Sequence, residues 1–206
     1  EHVLGLDGGG TRTRVVLVDR EGSIARYGET AGLDPTSVAQ APELLRWQLA
    51  GLGTPSAATL GLPYHGEIVE VTDWQTRIAA ETLGPGARVL NDVALAHKGA
   101  FAGGNGVMIL AGTGSMAWAE GPAGSVRVGG YGDRFGDEGS AYWIGRMALA
   151  TASHEIDGRT PESGFAEALC ARMGVEGEAL IDWTYSQIEP RKAIAALARD
   201  VSALGQ

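Results

Sequence analysis

Two short stretches of this chain place glycines and hydroxyl side chains directly after an apolar run: Asp7-Gly8-Gly9-Gly10-Thr11-Arg12-Thr13 and Gly112-Thr113-Gly114-Ser115. Glycine lets an anion approach main-chain N–H groups closely, and a concavity lined by such groups is electropositive. Both stretches therefore suit a phosphate. Thr11 and Thr13 add hydroxyl donors, and Asp7 can hold Mg²⁺ directly or through water. The plain alternative for the first stretch is a tight Asp-Gly hairpin, yet two residues make that turn and three consecutive glycines exceed it.

The second stretch, with Met116 and Ala117, also fits the G-x-G-x-x-A dinucleotide fingerprint. That reading needs a helix next, because the pyrophosphate rests on the helix N-terminus. Gly121-Pro122 follows within a few residues and leaves no room for one. No glycine-lysine-Ser/Thr occurs, so a Walker loop is absent as well.

Two acidic positions complete the chemistry. Asn91-Asp92 follows a predicted strand and opens a predicted helix, so Asp92 is either an N-cap or a carboxylate at a strand's C-terminal end, where α/β proteins set catalytic groups. Gly136-Asp137-Glu138-Gly139-Ser140 carries the same ambiguity: Asp137 caps a helix starting at Glu138 or faces a polar ligand between its glycines. His65, His97 and His154 have no ligand spacing and receive no role.

The elements that must position these residues read as α/β. Val3–Leu6, Arg14–Asp19 and Ser23–Gly28 form a predicted antiparallel meander, followed by helix 42–52, strand 59–62, helix 73–83, strand 87–90 and a helix from Asn91 to about Phe101. The meander then recurs over Val107–Ala111, Met116–Glu120 and Ser125–Val128, about a hundred residues on, which is the mark of an internal duplication. The glycines within 102–106 make the expected hinge, giving domains 1–103 and 104–206. Helices are expected over 138–151, 163–173, 178–186 and 191–204, with no strand after about Val128.

Composition sets the outer limits. A net charge of −9 without a basic cluster argues against nucleic acid, whose binding is driven by phosphate neutralisation. ATP remains compatible, since backbone N–H groups and Mg²⁺ can carry its charge. The single cysteine, Cys170, excludes a disulfide framework and a self-contained metal cluster, and reads as a buried thiol in a helix. No apolar run approaches the roughly 20 residues of a membrane span. The opening Glu1 is not a natural start, so preceding residues are expected to have been trimmed; with no signal peptide in view, a cytoplasmic location is the default.

Asp7–Thr13, Asn91-Asp92, Gly112–Ser115, Gly129-Gly130-Tyr131-Gly132 and Gly136–Ile144, in that order, resemble the N-acetylglucosamine kinase branch of the BadF/BadG/BcrA/BcrD ATPase family, within the actin–hexokinase–heat-shock-protein superfamily. The resemblance spans nearly the whole chain, and Gly-Asp-Glu-Gly-Ser-Ala-Tyr-Trp-Ile-Gly (136–145) is a specific string. It implies duplicated ribonuclease H-like (actin-like ATPase) domains around a central cleft, the second incomplete in this chain because further strands and an adenosine-binding glycine pair belong beyond Leu204. It implies Mg-ATP gripped by Asp7, Gly8, Gly9, Gly10, Thr11 and Thr13 in the first loop and by Gly112, Thr113, Gly114 and Ser115 in the second. Asp92 matches the general base that takes a sugar proton, with Thr113, Tyr131 and Asp137 holding the sugar. On this basis Asp137 should lie in the cleft near Asp92, on the far side from the glycine loops, with Tyr131 close by.

Two departures touch the sugar pocket: Tyr131 stands where relatives usually carry Trp, and Asp34, in Gly32-Leu33-Asp34-Pro35, where they carry Asn. The expected activity is therefore ATP-dependent phosphorylation of a small sugar, at the 6-OH of N-acetylglucosamine or a related amino sugar. A homodimer is compatible with the sequence, which does not itself report an oligomeric state. One alternative within the fold, an ATPase activating a 2-hydroxyacyl-CoA dehydratase, needs several cysteines for an iron–sulfur cluster, and there is one. Another, a sugar-sensing module without turnover, is opposed by the presence of both Asp7 and Asp92.

Overall fold

Alternation of buried and solvent-facing residues along β1 (Val3–Gly8) turns Leu4, Leu6 and Gly8 inwards and brings Asp7 out on the opposite face. The computed structural model describes residues 1–10, 12–35 and 39–205, and its chain divides into two compact units, Glu1–Gly106 and Val107–Gln206. In the first unit β1 is followed by β2 (Arg12–Val18), β3 (Ile24–Ala31), α1 (Ala41–Leu49), β4 (Ala57–Leu62), α2 (Val69–Leu83), β5 (Arg88–Asn91) and α3 (Asp92–Ala100).

The five strands form one mixed sheet in the order β3-β2-β1-β4-β5. β1, β2 and β3 are the antiparallel meander, while β4 and β5 run parallel to β1. Parallel strands need crossover connections, and α1 and α2 supply them. Leu4, Leu6 and Leu60 from the strands, with Leu45, Leu49 and Ile78 from the helices, make the core. The consequence for function is geometric: the C-terminal ends of β1, β4 and β5 lie side by side on one edge of the sheet.

Several elements begin or end elsewhere than the pattern suggested. β1 continues through Asp7 and Gly8, which pair with Arg14 and Thr13 of β2, so the acidic residue belongs to the strand and not to the turn. α2 starts one turn before Asp73, because the Thr72 hydroxyl closes its first turn, donating to Ile68 O and accepting from Gly66 N–H. α3 ends at Ala100 with Phe101 as its C-cap, as expected, and Ala102 then turns left-handed (φ 50°).

The second unit holds a three-stranded sheet in the order β6 (Gly106–Ala111), β7 (Ser115–Gly121), β8 (Gly124–Gly129), with β7 and β8 antiparallel. Helices α4 (Ala141–Ile156), α5 (Phe165–Met173), α6 (Leu180–Ser186) and α7 (Pro190–Leu204) follow, with one 3₁₀ turn at Gly177–Ala179. Their core is built from Ala148, Ala152, Ala166, Leu169, Cys170 and Leu180, and burial pushes the Cys170 thiol pKa up, as suits an inert thiol. α4 and α7 cross tightly: a side chain on Gly145 would collide with the Ile194 carbonyl. α4 begins at Ala141 and not at Glu138, because Asp137 is left-handed (φ 57°) and Ser140 is the N-cap, its Oγ accepting from Trp143 N–H at 3.1 Å.

Candidate active-site residues in each unit

Asp92 is the first residue of α3, directly beyond β5. Its neighbour Asn91 is the N-cap: the Asn91 side chain accepts from Val93 N–H at 3.0 Å and donates to Glu67 Oε1 at 2.9 Å. Asp92 Oδ1 accepts from the same Val93 N–H at 2.9 Å. The capping duty is therefore already met by Asn91, and a carboxylate at 92 adds something a cap does not need. Close approach makes the placement possible, because a Cβ on Gly61 of β4 would stand 2.6 Å from Leu95 and 3.2 Å from the Asp92 backbone.

The surroundings of Asp92 are unusual for an acid. Burial raises its carboxyl pKa from 3.8 to about 6; the Val93 N–H hydrogen bond opposes the rise, and the nearby negative charges of Glu67 and Asp7 add to it. The strand register explains the company. Asp7 pairs with Gly61, Gly61 with Leu90, and Leu62 with Asn91, so Asp7 and Asp92 flank the end of β4. With strands about 4.8 Å apart, two spacings put them roughly 10 Å from each other. Glu67, in the turn after β4, was not singled out from the sequence. Its only local signal is that it follows a strand whose C-terminal end belongs to this edge.

Within the first glycine loop, Gly9 N–H donates to Arg12 O at 2.9 Å and Leu33 N–H donates to Gly9 O at 3.0 Å. The loop is thus a true hairpin as well as a candidate phosphate site. Gly8 is required for space: its Cβ would stand 2.9 Å from Leu62 and 3.1 Å from Gly61 O. Gly10 lies beside the buried Asp34, whose Oδ2 is 3.8 Å from the position of a Cβ there. The Thr13 side chain is 2% exposed and its hydroxyl donates to Ala31 O at 2.9 Å, so its hydrogen is committed to the sheet. Thr11 lies outside the described residues.

The second loop is fastened to the start of α4. Ala141 N–H donates to Gly112 O at 2.8 Å, Tyr142 N–H to Thr113 O at 3.4 Å, and Gly112 N–H to Gly114 O at 2.9 Å. The Ser115 hydroxyl donates to Glu138 O at 2.7 Å. In a planar trans peptide the N–H points opposite to the carbonyl before it. With the Gly112 and Thr113 carbonyls turned to the helix, the Thr113 and Gly114 N–H groups face the other way, side by side. That is the donor arrangement an anion needs.

Asp137 is 3% exposed, and its Oδ2 accepts from Arg191 Nη2 at 2.9 Å. A Cβ on Gly114 would meet that same oxygen at 2.7 Å and Arg191 Nη2 at 3.3 Å. Asp137 therefore packs against the second glycine loop, which corrects the expectation of a carboxylate on the far side from the loops. The reason is the left-handed turn at residue 137 and the pull of a cation that the sequence reading did not consider. Tyr131 is 68% exposed, stacks on Phe135 with ring centres 6.1 Å apart, and has the Arg127 guanidinium 5.5 Å above its ring. Among the described residues no group of three or more His, Cys, Asp or Glu is arranged to hold a metal ion.

Residues 4–204 match the family model described as the BadF/BadG/BcrA/BcrD ATPase family. The chain is 26% identical to an N-acetylmuramic acid/N-acetylglucosamine kinase of Clostridium acetobutylicum, over 98% of this chain and 70% of that protein. It is 27% identical to an N-acetyl-D-glucosamine kinase of Dictyostelium discoideum, over 90% of this chain and 65% of that protein. It therefore spans about two thirds of the length of these relatives. Among solved structures, one from Chromobacterium violaceum, provisionally named an N-acetylglucosamine kinase, superposes with a TM-score of 0.74 at 28% identity, over 97% of this chain and 73% of that one.

Proposed function

The chain belongs to the BadF/BadG/BcrA/BcrD ATPase family, and from that premise we propose that it transfers the γ-phosphoryl group of Mg-ATP to a sugar, at the 6-OH of N-acetylglucosamine or a related amino sugar. The observation that carries the proposal is Asp92, a half-buried carboxyl with a pKa of about 6 on the sheet edge that also holds Asp7. A base with an ordinary carboxylate pKa is a weak proton acceptor near neutrality. One lifted to about 6 is still ionised at pH 7 and far better matched to a hydroxyl that loses its proton only in the transition state.

Asp92 accepts the hydroxyl proton, the sugar oxygen forms its bond to the γ-phosphorus, and the bond from that phosphorus to the β–γ bridging oxygen breaks, releasing ADP. Catalysis of this kind is mainly positioning and charge stabilisation. The Thr113 and Gly114 N–H groups of the second unit and the backbone of Gly8–Gly10 in the first are each assigned to phosphate oxygens. Asp7 is exposed at the end of β1, which fits a Mg²⁺ ion that takes one carboxylate and otherwise water and phosphate oxygens. Bound there, the ion supplies positive charge to the phosphates.

Asp137 and Tyr131 are assigned to the sugar, the carboxylate orienting hydroxyls and the ring offering an apolar face. No helix among the described residues is long and apolar enough to cross a membrane, and the substrates proposed are those of the cytoplasm. The test is an ADP-release assay coupled to a sugar panel with and without EDTA. Release that depends on an amino sugar and on Mg²⁺ is expected. Release indifferent to every sugar would refute the proposal.

A further inference from the structure

Arg191 lies 54 residues from Asp137 in the sequence, in the first turn of α7, and nothing in its local pattern marks it. In space it is the cation of the second loop. Its Nη2 donates to Asp137 Oδ2 at 2.9 Å, its Nε stands 3.9 Å from Asp133 Oδ2, and its guanidinium borders Gly114. Asp137 itself sits in a left-handed backbone conformation that non-glycine residues adopt at some energetic cost. A buried carboxylate held in a costly conformation requires something to hold it there. Delivery of the arginine is also rigid: Ile194, one turn further along α7, is locked against Gly145 of α4, so Arg191 reaches the loop from a fixed helix and not from a flexible arm.

We propose that Arg191 is a positioning residue for the sugar-binding carboxylate: it occupies Oδ2 of Asp137 and fixes the rotamer in which the carboxylate meets substrate hydroxyls. This rests on the kinase reading given above. Charge-assisted, planar pairing of arginine with a carboxylate constrains orientation as well as adding energy, which a lysine at the same place does not reproduce. A residue acting this way affects sugar binding selectively. One that merely supports the fold lowers turnover, ATP affinity and stability together.

The test is steady-state kinetics on the wild type, Arg191→Met, Arg191→Lys, Asp137→Asn and the double variant Asp137→Asn/Arg191→Met. Arg191→Met is expected to raise the sugar KM by about tenfold or more, clearly more than it raises the KM for ATP. Arg191→Lys should fall between the two. In the Asp137→Asn background, Arg191→Met should add less than about twofold, because residues that act through one another are non-additive. A sugar KM unchanged in Arg191→Met, or raised equally in both backgrounds, overturns the inference. If Arg191→Met does not fold by circular dichroism, Arg191→Lys decides: a sugar KM identical to wild type overturns it. A wild type that turns over no sugar overturns the kinase reading and this inference together, whereas an active wild type with an insensitive Arg191 overturns this inference alone.

Discussion

Replacing Asp92 by Asn should make the protein more stable and nearly inactive at once. The reasoning starts from the carboxyl's displacement from 3.8 to about 6 on folding. Each pH unit between those values is worth about 1.36 kcal/mol, so the ionised form costs the folded state roughly 3 kcal/mol at most. Part of the side chain still meets solvent, which brings the expected gain to about 1–3 kcal/mol. Asparagine retains an acceptor for Val93 N–H, so it removes the charge without removing the hydrogen bond. The sign follows from linkage. A carboxyl whose folded pKa is raised destabilises only when ionised, so the cost is absent below about 3.8, grows up to about 6 and is constant above. Thermal unfolding of wild type and Asp92→Asn across pH 3.5–8 should therefore show the variant ahead at neutral pH, by about 2–4 °C for each kcal/mol, with the two curves converging in acid. Turnover of the same variant should fall by at least about 10², and the wild-type kcat/KM should drop tenfold per pH unit below about 6. A variant of equal or lower stability at pH 7.5, or a wild-type rate that is flat through pH 6, would refute the account of this residue.

Three further outcomes follow from the packing. Gly114→Ala should abolish most activity, since its methyl carbon would stand 2.7 Å from Asp137 Oδ2; normal kinetics in that variant would mean the loop and Asp137 move apart freely. Gly61→Ala should cost about 1–3 kcal/mol of stability and depress turnover, because the added carbon meets Leu95 at 2.6 Å and presses on the Asp92 backbone; urea unfolding with a parallel rate assay reads both. Tyr131→Trp should change the ranking among amino sugars while leaving phosphoryl transfer intact, as it alters an exposed packing face and none of the reacting groups; competition between two labelled sugars measures it.

The strand meander and the strands that carry Asp7 and precede Asp92 were legible because period-two patterning and glycine turns are local signals; the order of the parallel strands, and with it the edge that gathers the two carboxylates, came from the coordinates. Asn91-Asp92 was legible as a choice for Asp92 between a helix cap and a catalytic carboxylate, and the coordinates add that the Asn91 side chain is the N-cap. What stayed hidden was long-range. Arg191 and Glu67 act through space on residues far along the chain, and an exposed-looking arginine at a helix start is indistinguishable from many others. The start of α4 was misjudged for a related reason. Gly136–Ser140 offers Asp137 as a cap candidate, and Ser140 prevails because the backbone at Asp137 is left-handed, a preference that single residues reveal weakly.

The fastening of the second glycine loop to α4 has a further use. The amides of Ala141 and Tyr142 belong to the helix by position, yet they donate to Gly112 O and Thr113 O and not to a helical carbonyl. Loop order and the protection of these two hydrogens are one event. Amide exchange at residues 141 and 142 thus gives a readout of the order of the second glycine loop in the absence of any ligand. A substitution that loosens the loop without unfolding α4 should accelerate exchange at those two positions and leave the amides after Ile144, which are bonded within the helix, unchanged.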